Sequence, residues 1–249
     1  LHGRPGEDGS VQEKLEAVGL SYNGSDKSSS EITIDKYRTN EILMKNGLLV
    51  AKHMLISAED WKSKKEELKN KLQNDYKYPF IAKPVDDGCS SAVKKIKSSE
   101  EFDAFATLMF RTGEELDAKA AETLHIKPKE EFPQKQLILV EELISKNGAK
   151  HFLEITGGML TKFNSKGELE YEVFEASEAL AEGDILSLEE KFLAGQGQNI
   201  TPARYSPDPK ERQQISDKVK QILGKAAKAL NILGLPCQIS SPPLFVALR

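Results

Sequence analysis

The sequence predicts a mixed α+β protein whose sheets are flanked by helices. Three observations carry this. Apolar runs of strand length, "FIAKP" and "QLILVEELI", are separated by stretches of helical periodicity. A later stretch alternates Leu169, Tyr171 and Val173 with glutamates around the turn "NSKG", the pattern of an antiparallel hairpin. And 249 residues, 39% hydrophobic and 30% charged, suffice for one large domain or two modest ones with a real core.

In chain order, "SVQEKLEAVG" places Val11, Leu15 and Val18 on one helical face, with Ser10 as N-cap and Gly19 as stop. "SYNGSDKSSS" reads as a loop and the first domain boundary. "EITIDKYRTNEILMKNG" reads as one helix closed by Gly47, and "LLVAKHMLI" as a strand. "SAEDWKSKKEELKNKLQND" opens on a capping box, Ser57 and Asp60, and anchors a surface helix through Trp61, Leu68 and Leu72. "YPFIAKPVDDGCSSAVKKI" is a buried strand ending in Lys83, then a loop of small and acidic residues. "SSEEFDAFATLMF" is a helix with Phe102, Phe105 and Met109 on one side.

Residues 111–135 are polar, follow no packing pattern and read as an insertion with a short helix around Glu115 to Thr123. "QLILVEELI" is apolar until it turns acidic, as buried strands do on reaching a site. "HFLEITGGMLTKFNSKGELEYEVFE" follows as antiparallel strands. The last element, "RQQISDKVKQILGKAAKALNILG", carries the stripe Ile215, Val219, Ile222, Ala226 and Leu230 and stops at Gly234.

Composition narrows the function classes. A net charge of −4 offers no basic surface for nucleic acid, and no apolar run reaches membrane-spanning length. There is no signal-peptide pattern at the start. Cys89 and Cys237 form neither a disulfide framework nor a metal-ligand spacing, so a reducing cytoplasm is the simplest compartment. None of the four histidines falls in an H-x-x-x-H arrangement, which argues against zinc. A homodimer is left open. Both ends suggest a fragment: the chain opens on the turn-dense "LHGRPGEDG", and the last fifteen residues hold three prolines and no acidic residue.

A lysine closing a buried strand, just before a flexible loop of backbone N–H groups, suits the phosphates of a nucleotide. The same residues also suit a plain hairpin with a solvated lysine. The order of the pieces favours phosphate, because from His2 to Gly234 they resemble the D-alanine–D-alanine ligases of the ATP-grasp superfamily. The resemblance implies a truncated ATP-grasp fold, two α+β subdomains gripping a nucleotide. Residues 1–24 would be a remnant of the preceding domain, 25–141 the central subdomain, and 142–249 a shortened C-terminal subdomain whose tail is atypical from 235.

Residue by residue, the resemblance implies the following site. "LHGRPGEDG" is similar to the loops near the first D-alanine, so His2 and Gly3 would touch substrate. "IDKYRTN" points to Lys36, and "FIAKP" to Lys83, as phosphate-binding lysines. "DDGCSSAV" resembles the loop that closes over the β and γ phosphates, through Asp87, Gly88, Cys89 and Ser90, with the Ser90 hydroxyl also assisting catalysis. "ILVEELI" resembles the adenine-binding connector, through Glu141, Glu142 and Ile144. "LEEKFLAGQGQNITPA" places the catalytic lysine at Lys191. ATP and Mg2+ are the implied cofactors, D-alanine or a similar acid and amine the small-molecule substrates, and peptidoglycan precursor synthesis in the cytoplasm the setting.

The departures from that pattern matter. Cys89 and Phe192 stand where the family has a serine and a tyrosine, which weakens the case for D-alanine specificity more than for ATP binding. Ala92 replaces a glycine and restricts the loop backbone. The ribose-binding acid falls at His151, with Glu154 the nearest carboxylate, on the opposite face of a strand in that register. Beyond Gly234 there is no Asp or Glu where the family's metal ligands would lie. The expectation is a truncated or out-of-frame end and an impaired enzyme. Two alternatives stay open: a ligase for a different acid and amine, and a non-catalytic nucleotide-binding module.

Overall fold

The structure, a computed structural model, describes residues 4–88, 90–127, 130, 132–145, 153–179 and 199–233. These fall into two compact units, one built from residues 1–50 and 145–249, the other from 51–144.

The second unit is a four-stranded antiparallel sheet backed by helices. Its strands are β1 (His53–Ser57), β2 (Phe80–Pro84), β3 (Lys94–Ile96) and β4 (Leu137–Glu142), in spatial order β1-β4-β2-β3. Alternation sends Phe80, Ala82, Ile138, Val140 and Ile96 to one face, where all are fully buried. Helix α5 (Ser99–Met109) covers that face with Phe102, Phe105, Leu108 and Met109. Burying such side chains stabilises by about 1.5–3 kcal/mol each. The rings interlock edge-to-face, with Trp61 and Phe102 centroids 5.1 Å apart and Phe80 and Phe102 5.6 Å apart. Trp61 comes from α4 (Ala58–Lys71), which starts where the Ser57 hydroxyl accepts from the Asp60 N–H at 3.0 Å.

The polar stretch 111–135 packs rather than decorates. Its helix α6 (Ala118–Thr123) buries Ala120, and Leu124 and Phe132 join the core, with Phe132 edge-on to Phe105 at 5.4 Å. Only a few apolar residues anchor it, too widely spaced to show a period in the sequence.

The first unit holds α1 (Ser10–Ala17), α2 (Lys27–Ile34), α3 (Lys36–Lys45), a three-stranded antiparallel sheet and a hairpin. The sheet runs β5-β8-β9 from β5 (Glu154–Thr156), β8 (Ser177–Ala179) and β9 (Asn199–Ile200); the hairpin pairs β6 (Met159–Phe163) with β7 (Leu169–Val173). The long helix α7 (Pro209–Ala229) buries Ser216, Val219, Leu223, Ala226 and Ala227 against these elements. Asp208 caps it through the Glu211 N–H, with Pro209 in the first turn.

Several local expectations are corrected. The stretch 31–47 is two helices, because the Asp35 side chain accepts from the Arg38 N–H at 2.8 Å and restarts the helix. The loop read at 21–30 already contains the start of α2, capped by Asp26. The first strand begins only at His53. Helix α1 is capped by Gly9 rather than Ser10; a Cβ at Gly9 would lie 2.8 Å from the Lys27 carbonyl oxygen, and φ there is +88°. On α7 the buried stripe includes Leu223, while Ile222 is half-buried.

Candidate phosphate-binding face

The antiparallel register of β2 and β4 builds the centre of the candidate site. Lys83 lies opposite Leu139, and Ile81 opposite Glu141, so Lys83 and Glu141 are diagonal neighbours on the sheet face away from α5. The Lys83 Nζ meets the Glu141 Oε2 at 2.5 Å, and each residue is only 7% exposed. A buried ammonium requires such a partner, since leaving either ion alone costs several kcal/mol. His53 faces Glu141 from β1, with its Nδ1 2.8 Å from the Ala51 carbonyl oxygen.

Alternation separates the two glutamates of "ILVEELI". Glu142 lies opposite Phe80, not on the Lys83 face. Its carboxylate accepts from the Lys52 N–H at 2.9 Å, and its own N–H donates to the Lys52 carbonyl at 2.9 Å, which fastens the strand end. Ile144 follows, half-buried.

Beyond Lys83 the chain folds into a tight loop. The Gly88 N–H donates to Asp87 Oδ1 at 3.0 Å, the Ser91 N–H to the Gly88 carbonyl at 3.0 Å, and the Val93 N–H to the Ser90 carbonyl at 3.2 Å. Ser90 and Ala92 both take left-handed backbone angles, φ +59° and +48°. Ala92 does so with a Cβ, which is the strain expected where an alanine stands in a glycine conformation. Cys89 lies outside the described residues.

Sequence reasoning missed Lys135. Its Nζ lies 3.0 Å from Asp86 Oδ1 and 3.6 Å from Asp87 Oδ2. A signal existed: in an antiparallel pair the start of β4 lies beside the end of β2, which brings residue 135 next to the loop.

In the first unit, Lys36 is the first residue of α3, directly after the capping Asp35, and is half-buried. Glu154 sits on β5 opposite Ala179, half-buried. Another missed feature is Arg204, which grips the nearly buried Glu178 through two bonds, Nε at 2.8 Å and a terminal nitrogen at 2.9 Å. The Arg204 guanidinium holds the Glu178 carboxyl below the usual carboxylate range. Burial, aided by the Glu175 charge, pushes the Tyr205 phenol up to about 12. A groove of about 660 Å3 between β7 and α7, lined by Tyr171, Lys220, Lys225 and Lys228, contains none of the sequence-predicted site residues. His2, Gly3, His151, Lys191 and Phe192 lie outside the described residues.

The comparisons with known proteins agree with this architecture. The structure matches the VanG D-Ala:D-Ser ligase from Enterococcus faecalis with a TM-score of 0.64 at 19% identity, covering all of this chain and 64% of that one. It matches the D-alanine–D-alanine ligase from Coxiella burnetii at 0.59 and 20% identity, covering 94% of this chain and 51% of that one. The fold is therefore the ATP-grasp fold. Residues 42–117 match the family model described as D-ala D-ala ligase C-terminus. The chain is 29% identical over 217 residues to a D-alanine–D-alanine ligase of Leptospira interrogans, covering 86% of this chain and 52% of that protein. For a D-alanine–D-alanine ligase of Caldicellulosiruptor bescii the figures are 26% over 235 residues, 94% and 54%. Over most of its length the chain is similar to D-alanine–D-alanine ligases, and it spans about half the length of these curated relatives.

Proposed function

We propose that the chain carries the nucleotide-gripping part of an ATP-dependent D-alanine–D-alanine ligase. The reaction would pass the γ-phosphoryl group of ATP to the carboxylate of one D-alanine, releasing ADP. The amine of a second D-alanine would then attack the acyl phosphate, forming the peptide bond and releasing phosphate. The product would serve peptidoglycan precursor synthesis in the cytoplasm. Among the described residues no helix is long and apolar enough to cross a membrane.

The observation that carries this reading is Lys83, a buried cation at the end of β2, directly before a tight loop of backbone N–H groups. Bringing a triphosphate to a carboxylate is repulsive, so fixed cations and N–H dipoles aimed at the oxygens must offset it. Lys83 would supply charge to the phosphates, and the backbone from Gly88 to Ser91 would supply dipoles once its N–H groups exchange their bonds within the loop for phosphate oxygens. Lys36 and Lys191 would add the remaining cations, and Glu141 and Ile144 would border the base. His2 and Gly3 are proposed near the first D-alanine, and Glu154 near the ribose.

Magnesium fits less well. Among the described residues no three His, Cys, Asp or Glu side chains gather as a cation site, and the sequence after Gly234 supplies no carboxylate. In a second reading the same residues bind nucleotide without turning it over.

Calorimetric titration of ATP, with and without Mg2+, tests the shared part. The wild type is expected to bind, and the charge-free double variant Lys83→Met, Glu141→Gln to lose at least tenfold in affinity. Phosphate release on adding D-alanine supports the ligase; binding without release supports the second reading. No ATP binding by the wild type refutes both.

A further inference from the structure

The candidate phosphate loop presents an electrostatic problem. Asp86 and Asp87 place two carboxylates beside the position where a triphosphate would lie, and like charges at such range repel. Four features of the 111–135 segment bear on this. Arg111 clamps its two ends together, donating to the Leu108 carbonyl at 2.6 Å and to the Phe132 carbonyl at 2.8 Å. The Lys135 N–H donates to the Met109 carbonyl at 2.9 Å, so the backbone at 135 is fixed to the end of α5. From that fixed point the Lys135 ammonium reaches both Asp86 and Asp87, at 3.0 and 3.6 Å. On the far side of the loop, Lys94 of β3 pairs with Glu130 of the same segment at 2.5 Å. The start of the loop and the strand that follows it are therefore both tied to one platform.

We infer that Lys135 is a positioning residue for the phosphate loop: it holds Asp86 and Asp87 back against the 111–135 platform, setting the loop conformation and reducing its negative charge so that a polyphosphate can approach. The inference rests on the nucleotide-binding reading for its purpose, but the geometry of the tether does not.

The test has two arms. Native-state hydrogen exchange on the full chain reads the loop directly, because the Ser91 and Val93 amides are bonded within it. Lys135→Met removes the charge at nearly constant shape and leaves the backbone bond to Met109 in place. Those two amides are expected to exchange about three- to fivefold faster, the upper end of the range for a partly exposed ion pair. Lys135→Arg should restore them. Exchange within about twofold of wild type overturns the inference. The second arm titrates ATP. Lys135→Met should weaken binding, and adding Asp86→Asn with Asp87→Asn should recover part of the loss, because the repulsion is gone although the tether is not rebuilt. A purely structural role predicts no recovery, and that result overturns the charge-reducing part. If the wild type binds no ATP, the ligase reading fails, while the exchange arm still decides whether Lys135 holds the loop.

Discussion

Replacing Lys83 with methionine removes one member of a pair whose two residues are each 93% buried, taking the complement of their 7% exposure. At 2.5 Å and an effective dielectric of 20, the gross attraction is about 6–7 kcal/mol. Desolvating the two ions costs several kcal/mol each, so the intact pair is close to neutral for folding. Breaking it is not neutral, because Glu141 then stays buried without its counter-ion, at a cost of about 3–5 kcal/mol. For a chain of this size that corresponds to a Tm lower by about 6–20 °C. Removing both charges, in Lys83→Met with Glu141→Leu, should recover most of the loss, since two apolar side chains tolerate the same site. The assay is a double-mutant cycle by thermal or urea unfolding, followed through Trp61 fluorescence in the same unit. Additive single-variant losses, or a Lys83→Met cost under about 1 kcal/mol, would refute the claim that the two groups are mutually dependent.

Other expectations follow from the same geometry. The Glu178 carboxyl sits below its ordinary value because Arg204 bonds to it, so the pair's stabilisation is present above about pH 4.5 and is lost as pH falls through the lowered folded value. Acid melts of wild type should therefore drop more steeply between pH 5 and 3, on the order of these ordinary values, than melts of Glu178→Gln. Ala92→Val puts a branched side chain at a left-handed position in a packed site and should cost about 2–3 kcal/mol, whereas Ala92→Gly should be within about 1 kcal/mol of wild type; urea unfolding measures both. A Cβ at Gly157 would overlap the buried Leu223 side chain, so Gly157→Ala should cost about 1–3 kcal/mol, and Leu223→Ala in that background should relieve the clash.

Much of the scaffold is written locally. The α5 face of Phe102, Phe105 and Met109, the Ser57–Asp60 cap and the hairpin around "NSKG" are all short-range patterns, and they appear where the periodicities place them. Asp35 was harder to read, because an aspartate inside a helical pattern looks like a surface residue until it caps a second helix. The 111–135 stretch hid its packing, since Phe132 reaches the core from an irregular segment. Lys83 falls at the strand end that its apolar run predicts, but the carboxylate beside it could not be read. Which of Glu141 and Glu142 shares the Lys83 face depends on strand register, and register is a property of two segments fifty-eight residues apart, the separation of Lys83 and Glu141. The same holds for Lys135 with Asp86, and for Arg204 with Glu178.

The most direct measurement is a nitrogen–proton spectrum of the chain titrated with ATP and, separately, with adenosine. The account predicts that ATP, but not adenosine, shifts the amide signals of Gly88, Ser90 and Ser91 and that Lys83→Met with Glu141→Gln abolishes the shifts. Equal responses to both ligands, or ATP-dependent shifts confined to residues away from this loop, would contradict it.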